Sequence, residues 1–260
     1  MDRPYDSYII CTNPRSGSTL LCGLLAQTGV AGKPDSFFRG PSRRWWADHL
    51  QVREAVDLND PAFCAAFLSA AQTEGKGAGT LFGFRLMHES LSDLMAMVSC
   101  LHPNLNGDNA RISAIFGRTA FVHLTREDKV AQAVSYVRAE QTGTWHLAPD
   151  GRAIENKEAP LPPRYDFDRI HAQVLEFERH EAAWLAWFDQ IGVSPLTVRY
   201  CDLASDHDNV MGRILGHLGV PAPTGNKPVP EVRKLAGGLN EEWAALYRGD
   251  RIVRTTHSLS

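Results

Sequence analysis

The stretch Asn13–Pro14–Arg15–Ser16–Gly17–Ser18–Thr19 follows a short apolar run and precedes a helical apolar pattern. It gathers one planar cation, three hydroxyls and a glycine at a strand-to-helix junction. The chemistry this suits is anion binding. The first N–H groups of a helix have no intrahelical partner, and the helix dipole adds partial positive charge there. Gly17 lets a ligand approach the backbone, and Arg15 supplies a fixed fork of donors. Phosphate or sulfate is the natural guest. The rival reading is that the hydroxyls only cap the helix. Other loop chemistries do not fit. G-x-x-x-x-G-K-[ST] fails for want of an earlier glycine and of a lysine before Ser18. G-x-S-x-G fails because position 14 is proline and position 18 is serine. The segment GKGAG at 75–79 precedes a strand instead of following one, so it reads as a turn.

A second group is carried by HLTREDKVAQAVSY. Arg126 stands at the end of a strand, and Ser135 lies within the next helix, about two and a half turns on. Each alone reads as a surface ion-pair partner or a packing residue. Together with the first loop they form two cationic anchors on separate strands, suited to one ligand with two anionic ends.

The elements that must hold these groups follow from periodicity. Strands are expected at Ser7–Thr12, Gly83–Met87, Ala120–Thr125 and Leu196–Cys201, and helices at Thr19–Thr28, Pro61–Glu74, Ser92–Leu101, Asp128–Glu140, Asp166–Ile191 and Asn209–Leu218. Trp145–Pro163 is polar and proline-rich and reads as a loop, and the tail after Val220 as loop with a short helix near Glu241–Tyr247. Short strands alternating with longer helices predict an α/β fold with a mostly parallel sheet covered on both faces. Ligands of such sheets bind outside the carboxyl ends of the strands, where the loop after the first strand lies.

Composition narrows the partners. The 260 residues and 43% hydrophobic content suit one domain spanning 1–260. A formal net charge of −3 argues against a nucleic acid polymer as partner, although not against a local basic pocket. The sequence has no secretion-signal pattern and no apolar run long enough to span a bilayer, so a cytoplasmic protein is expected. Five cysteines without a C-x-x-C pair read as inert buried thiols.

TNPRSGSTLL and TREDKVAQAVSY together resemble the sulfotransferases that use 3′-phosphoadenosine 5′-phosphosulfate (PAPS), in particular a bacterial trehalose 2-sulfotransferase-like branch. TGVAGKPDSFF, GFRLM, VSYVRAEQTGTW, VRYCDLASD and EEWAALYRG carry the same likeness over most of the chain. The resemblance implies a P-loop-like three-layer α/β domain with helical additions. It implies PAPS as co-substrate, 3′-phosphoadenosine 5′-phosphate (PAP) as product, and no metal. Arg15, Ser16, Gly17, Ser18 and Thr19 would bind the phosphosulfate end, and Arg126 and Ser135 the 3′-phosphate. Lys234 matches a basic residue over the nucleotide, or is a solvated surface charge.

Sulfuryl transfer to an alcohol needs a base for the hydroxyl proton. The branch carries a carboxylate where this chain has Ser36, which leaves Asp35, His88 and Glu89 as substitutes and raises the alternative of a nucleotide-binding protein with little or no transferase activity. Arg85 replaces a lysine of the same pattern, and either faces the nucleotide or pairs with a carboxylate. The acceptor is expected to be a hydroxyl-bearing small molecule, carbohydrate or lipid-linked. Ser36, Phe37, Phe38 and Glu89 are its expected contacts, with Arg39, Trp45 and Trp46; the aromatic residues read equally as core or as contacts of a homodimer.

Overall fold

The structure, a computed structural model, describes residues 4–145, 162–221, 227–231 and 238–257. In chain order its elements are β1 (Ser7–Thr12), α1 (Ser18–Gln27), α2 (Arg43–His49), α3 (Pro61–Lys76), β2 (Phe82–Met87), α4 (Leu91–Leu101), α5 (Asp108–Phe116), β3 (Thr119–Thr125), α6 (Lys129–Thr142), α7 (Phe167–Gln190), β4 (Leu196–Arg199), α8 (Tyr200–Ser205), α9 (His207–Leu218) and α10 (Gly238–His257). The four strands form a parallel sheet in the order β2-β1-β3-β4. The chain moves from β1 outward to β2 and then back across to β3. The order therefore reverses beside β1, and the loop that leaves β1 opens at the switch point of the sheet.

Strand alternation sorts the core into two faces. Ile9, Cys11, Phe82, Phe84, Leu86 and Phe121 point to one side, under Phe63, Phe67, Leu94, Phe116 and Trp184 of the covering helices. Tyr8, Ile10, Val122, Leu124 and Val198 point to the other, under Leu21, Leu25, Leu203, Ile214 and Leu218. The result is the three-layer arrangement expected. A third cluster joins α6, α7 and α10 through Val134, Ile170, Phe177, Trp243 and Tyr247. Among the described residues no helix is long and apolar enough to cross a membrane.

Four helices begin on an aspartate that accepts a first-turn N–H: Asp60 for α3, Asp128 for α6, Asp166 for α7 and Asp206 for α9. Two sequence expectations are corrected. The strand LTVRYC stops at Arg199, and the chain turns into α8 at Tyr200. That turn leaves Cys201 exposed, whereas Cys11, Cys22 and Cys64 are buried as expected. The terminal helix runs 20 residues instead of one short segment. Arg254 and Arg248 tie it to Asp168 on α7 and to Asp128 at the start of α6, interactions between distant parts of the chain that a local pattern does not contain.

Candidate active site

The loop after β1 is held by its carbonyl groups. Trp184 Nε1 donates to the Thr12 carbonyl at 3.0 Å, Gln132 Nε2 to that of Pro14 at 2.7 Å, and Arg126 Nη1 to that of Arg15 at 3.0 Å. Residues of α7, of α6 and of the segment after β3 thus fix the end of β1 and the turn that follows it. Arg15 adopts φ 63°, a left-handed conformation that costs a non-glycine residue about 1 kcal/mol or more.

The hydroxyls settle the rival capping reading. The residue that precedes α1 is Gly17, and no side chain caps this helix. Ser16 Oγ instead pairs with Thr12 Oγ1 at 2.6 Å, while Ser18 Oγ and Thr19 Oγ1 accept from Arg85 Nη1 at 3.3 and 2.8 Å. The lack of a side-chain cap is shared with α2, α4, α5 and α8; what sets α1 apart is that the hydroxyls of its first turn face an arginine that lines a cleft.

Gly17 answers to a protein neighbour. At φ 87° a Cβ would lie 2.8 Å from Cδ2 of Tyr200. The same ring carries the Arg126 guanidinium 4.6 Å from its centroid. Tyr200 is therefore wedged between the loop and Arg126, a positioning role with no sequence signal beyond its place at a strand's carboxyl end. Burial draws the Arg126 pKa down from its usual value, opposed by Tyr200 and Asp128; a guanidinium stays a cation in proteins.

The two expected anchors meet. Arg15 Nε donates to Ser135 Oγ at 3.0 Å, and its Nη1 donates to the Trp145 carbonyl. The Arg15 side chain thus runs toward α6. The cation over Ser18 and Thr19 is Arg85, from the middle of β2. Register pairs Arg85 with Ile10, which faces α1, and a strict alternation along FGFRLM was the available signal for that. Arg85 Nε also donates to Ser36 Oγ at 2.7 Å, and Nη2 lies 3.9 Å from Asp35 Oδ1.

Beside this cradle opens a cleft of about 680 Å³, within the usual span of ligand sites, roughly 300–1,000 Å³. Arg15, Ser18, Thr19 and Arg85 form its floor, Asp35, Ser36, Arg39, Glu89 and Glu140 supply polar groups, and Trp45, Trp46, Tyr136 and Trp145 its aromatic walls. Tyr136 and Trp145 meet edge to face at 5.5 Å. An adjoining cavity of about 380 Å³ shares Thr19, Asp35, Trp46 and Arg85 with the cleft.

Asp35 stands where β2 gains a short parallel neighbour: it bridges to Phe84, and its carbonyl accepts from the Arg85 N–H at 3.0 Å. Its Oδ1 accepts from the Ser36 N–H at 2.6 Å. Both residues line the cleft, with Asp35 exposed and Ser36 buried. Two expectations are corrected by packing. Phe37 and Phe38 are 0% and 2% exposed and belong to the core among Trp46, Phe67, Phe84 and Phe116; Phe37 reaches only the smaller cavity, whereas Arg39, Trp45 and Trp46 do line the cleft. After Met87 the chain enters a tight turn that sends Glu89 to the cleft and His88 away from its described lining. His88 stacks on His180 at 4.8 Å and meets Trp184 edge-on at 5.2 Å, and burial, with His180 and Arg179 adding to it, pushes its pKa down to about 4. Lys234 lies outside the described residues.

The Stf0 sulphotransferase family model matches residues 7–250. The chain belongs to the Stf0 sulphotransferase family. It is 30% identical to the trehalose 2-sulfotransferase of Mycobacterium tuberculosis (strain ATCC 35801 / TMC 107 / Erdman) over 268 residues, covering 96% of this chain and 97% of that protein. It is also 30% identical to the trehalose 2-sulfotransferase of Mycolicibacterium smegmatis (strain ATCC 700084 / mc(2)155), covering 94% and 95%. An Stf0 sulphotransferase is a transferase, and the parallel sheet with its loop at the switch point is consistent with that fold.

Proposed function

We propose that this Stf0 sulphotransferase moves the sulfuryl group of PAPS to a hydroxyl of a small carbohydrate, without a metal. The observation that carries the reading is the tethered loop after β1, whose carbonyls are held by Trp184, Gln132 and Arg126 and whose Ser18 and Thr19 hydroxyls face Arg85 beside an aromatic cleft. The co-substrate supplies the activated sulfur. Arg15, the loop hydroxyls and the first-turn N–H groups of α1 hold its 5′ end, and Arg126 and Ser135 hold the 3′-phosphate. As the acceptor oxygen bonds to sulfur and the bond to the bridging phosphate oxygen breaks, charge gathers on the departing oxygen. Fixed donors there lower the barrier, because they need no reorganisation.

Asp35 is the base in this reading. Its Oδ1 is fixed by the Ser36 N–H, and Oδ2 has no hydrogen bond among the described residues. It receives the hydroxyl proton as PAP departs. Glu89, Ser36 and Arg39 contact the other hydroxyls of the acceptor, and Trp45, Tyr136 and Trp145 cover its ring faces. The trehalose 2-sulfotransferases among the relatives support a sugar as that acceptor.

The test is transfer of labelled sulfate from PAPS to a panel of mono- and disaccharides that includes trehalose, with PAP binding measured by calorimetry. Saturable PAP binding and a labelled sugar are expected. Arg15→Ala and Arg126→Ala each weaken PAP by about tenfold or more, as loss of a charged hydrogen bond of about 1.5–3 kcal/mol implies. Absence of both binding and transfer rejects the reading. Asp35→Asn retains PAP affinity and lowers transfer about 100-fold or more, in line with the contribution of a positioned base; unchanged turnover in that variant removes Asp35 from the role.

A further inference from the structure

We infer that Lys129 and Glu181 form the positioning pair for recognition of the donor's 3′-phosphate, acting through Arg126. The inference rests on the sulfuryl-transfer reading, in which Arg126 holds that phosphate, and it adds two residues that lie outside the described lining of the cleft. Lys129 opens α6, and its type alone suits an anion ligand. The geometry gives it another part. An ammonium has three N–H donors, and acceptors of the protein face all of them: the Arg126 carbonyl at 2.6 Å, Glu181 Oε2 at 2.9 Å and Thr125 Oγ1 at 3.5 Å. Glu181, on α7, also accepts from Thr125 Oγ1 through Oε1 at 2.6 Å. The two side chains are 13% and 19% exposed. His123 Nε2 stands 3.3 Å from Glu181 Oε1. Burial pushes the His123 pKa down against the pull of Glu181, with Lys129 adding to the fall. At neutral pH, then, Lys129 is the cation that answers the Glu181 charge.

An ion pair this far from water gives little net stability compared with apolar side chains of the same volume. What it gives here is direction. Residues three apart share a helix face. On α7, Glu181 grips Thr125 at the end of β3, and Trp184 holds the Thr12 carbonyl at the end of β1. On α6, Lys129 holds the Arg126 carbonyl, and Gln132 holds the Pro14 carbonyl. Each helix thus touches the chain beyond both strands, and the Lys129–Glu181 pair joins the two helices at that level. The donor's two anionic ends are a fixed number of bonds apart, so the spacing of these strand ends decides whether both are held at once. Arg126 is fixed at both of its own ends, by its carbonyl and by Nη1 on the Arg15 carbonyl, with the Tyr200 ring 4.6 Å away. Its other guanidinium N–H groups make no hydrogen bond among the described residues. A phosphate meets donors already in place, whereas a swinging side chain loses affinity to its own ordering.

The test measures PAP and adenosine 5′-phosphate (AMP) side by side on the full chain, by calorimetry. The two differ only in the 3′-phosphate, so the ratio of their affinities reads the Arg126 end alone. Wild type is expected to prefer PAP by about tenfold or more. Lys129→Met lowers that preference about fivefold or more, a coupling of the size found within one charged network, with AMP affinity within about twofold of wild type. That variant leaves the Glu181 charge unpaired, which is costly to folding, so Lys129→Met/Glu181→Met is measured beside it. The double variant removes both charges and leaves apolar side chains of similar length, a change that folds tolerate. It is expected to keep the thermal stability of wild type and to lose the same preference. In an Arg126→Ala background the double change moves the ratio less than about twofold, because the pair acts through that side chain. A wild-type ratio in the folded variants overturns the role of the pair and leaves the sulfuryl-transfer reading standing. So does an equal fall in both affinities, which makes the pair a support of the fold only, or an undiminished further loss in the Arg126→Ala background. If wild type binds AMP as tightly as PAP, Arg126 holds no 3′-phosphate, and the inference falls together with that part of the reading.

Discussion

Replacement of Gly17 by alanine isolates what the loop's geometry costs and what holds it. Two penalties add. A side chain at φ 87° enters the left-handed region, at about 1–2 kcal/mol. The new Cβ lies 2.8 Å from Cδ2 and 3.1 Å from Cε2 of Tyr200, an overpacking of about 1–3 kcal/mol. The reduced freedom of the unfolded chain returns about 0.4–1 kcal/mol. A net loss of about 2–3 kcal/mol follows, equivalent in a chain of this size to a drop of about 4–12 °C in Tm. Thermal unfolding of Gly17→Ala, Tyr200→Ala and the double variant separates the two parts. Removal of the ring relieves the steric part and leaves the backbone part, so the cycle returns a coupling of about 1 kcal/mol or more. Strict additivity refutes the wedge and leaves Gly17 to backbone conformation alone. A drop below about 2 °C for Gly17→Ala refutes both parts.

Stability depends on acid through the buried imidazoles. Burial lowers the pKa of His88 to about 4 and also lowers those of His180 and His123. The unfolded chain takes up these protons below about pH 6.5 while the folded one does not, so stability is full above that pH and falls as pH drops toward 4; His88→Phe flattens the fall, as urea titrations across this window show. Trp184→Phe strips the Thr12 carbonyl of its side-chain donor and lowers stability by about 1–3 kcal/mol, measured by urea unfolding, with a parallel loss of PAP affinity because that carbonyl begins the loop. Ser36→Glu adds a carboxylate beside Asp35 and Arg85; with Asp35 already the base, transfer does not rise, while PAP affinity stays within about threefold. A gain in transfer would show that position 36 itself wants a base.

The sheet was legible because burial repeats locally. Tyr8, Ile9, Ile10 and Cys11 are continuous apolar chain in the middle of a parallel sheet, and the strand's bounds, Ser7–Thr12, match those read from the pattern. Helices with a strong stripe and an aspartate cap, such as α7, followed from the same logic. Elements with little apolar pattern of their own were missed: α2 and α5 are set by what they cover. In the site, the loop was visible since its residue types are unusual after a strand. The orientation of its side chains was not. Arg15 turns to Ser135 and Arg85 turns to Thr19 through contacts across 120 and 66 residues of sequence. The aromatic segment after Ser36 shows the same limit from the other side. Phe37 and Phe38 pack against the sheet while Trp45 and Trp46 reach the cleft, a division made by where the short neighbour of β2 ends.

The tethers of the loop suggest why its strain persists. The positive φ of Arg15 disfavours this turn in an isolated chain. Trp184, Gln132 and Arg126 each occupy a carbonyl of the turn, and a peptide whose carbonyl is held outward presents its N–H inward. The strain is thus held by partners that would remain in place whether or not an anion is bound, and an anion entering the turn does not have to order it. A flexible loop of the same composition would bind less tightly and, more to the point, would follow charge as it moved, which gives up the advantage of donors fixed where charge arrives. On this argument Arg126 has two parts to play, one as a cation and one as a tether of Arg15. The second belongs to its geometry more than to its charge, which is why lysine, a point charge without a planar fork, is a poor substitute there.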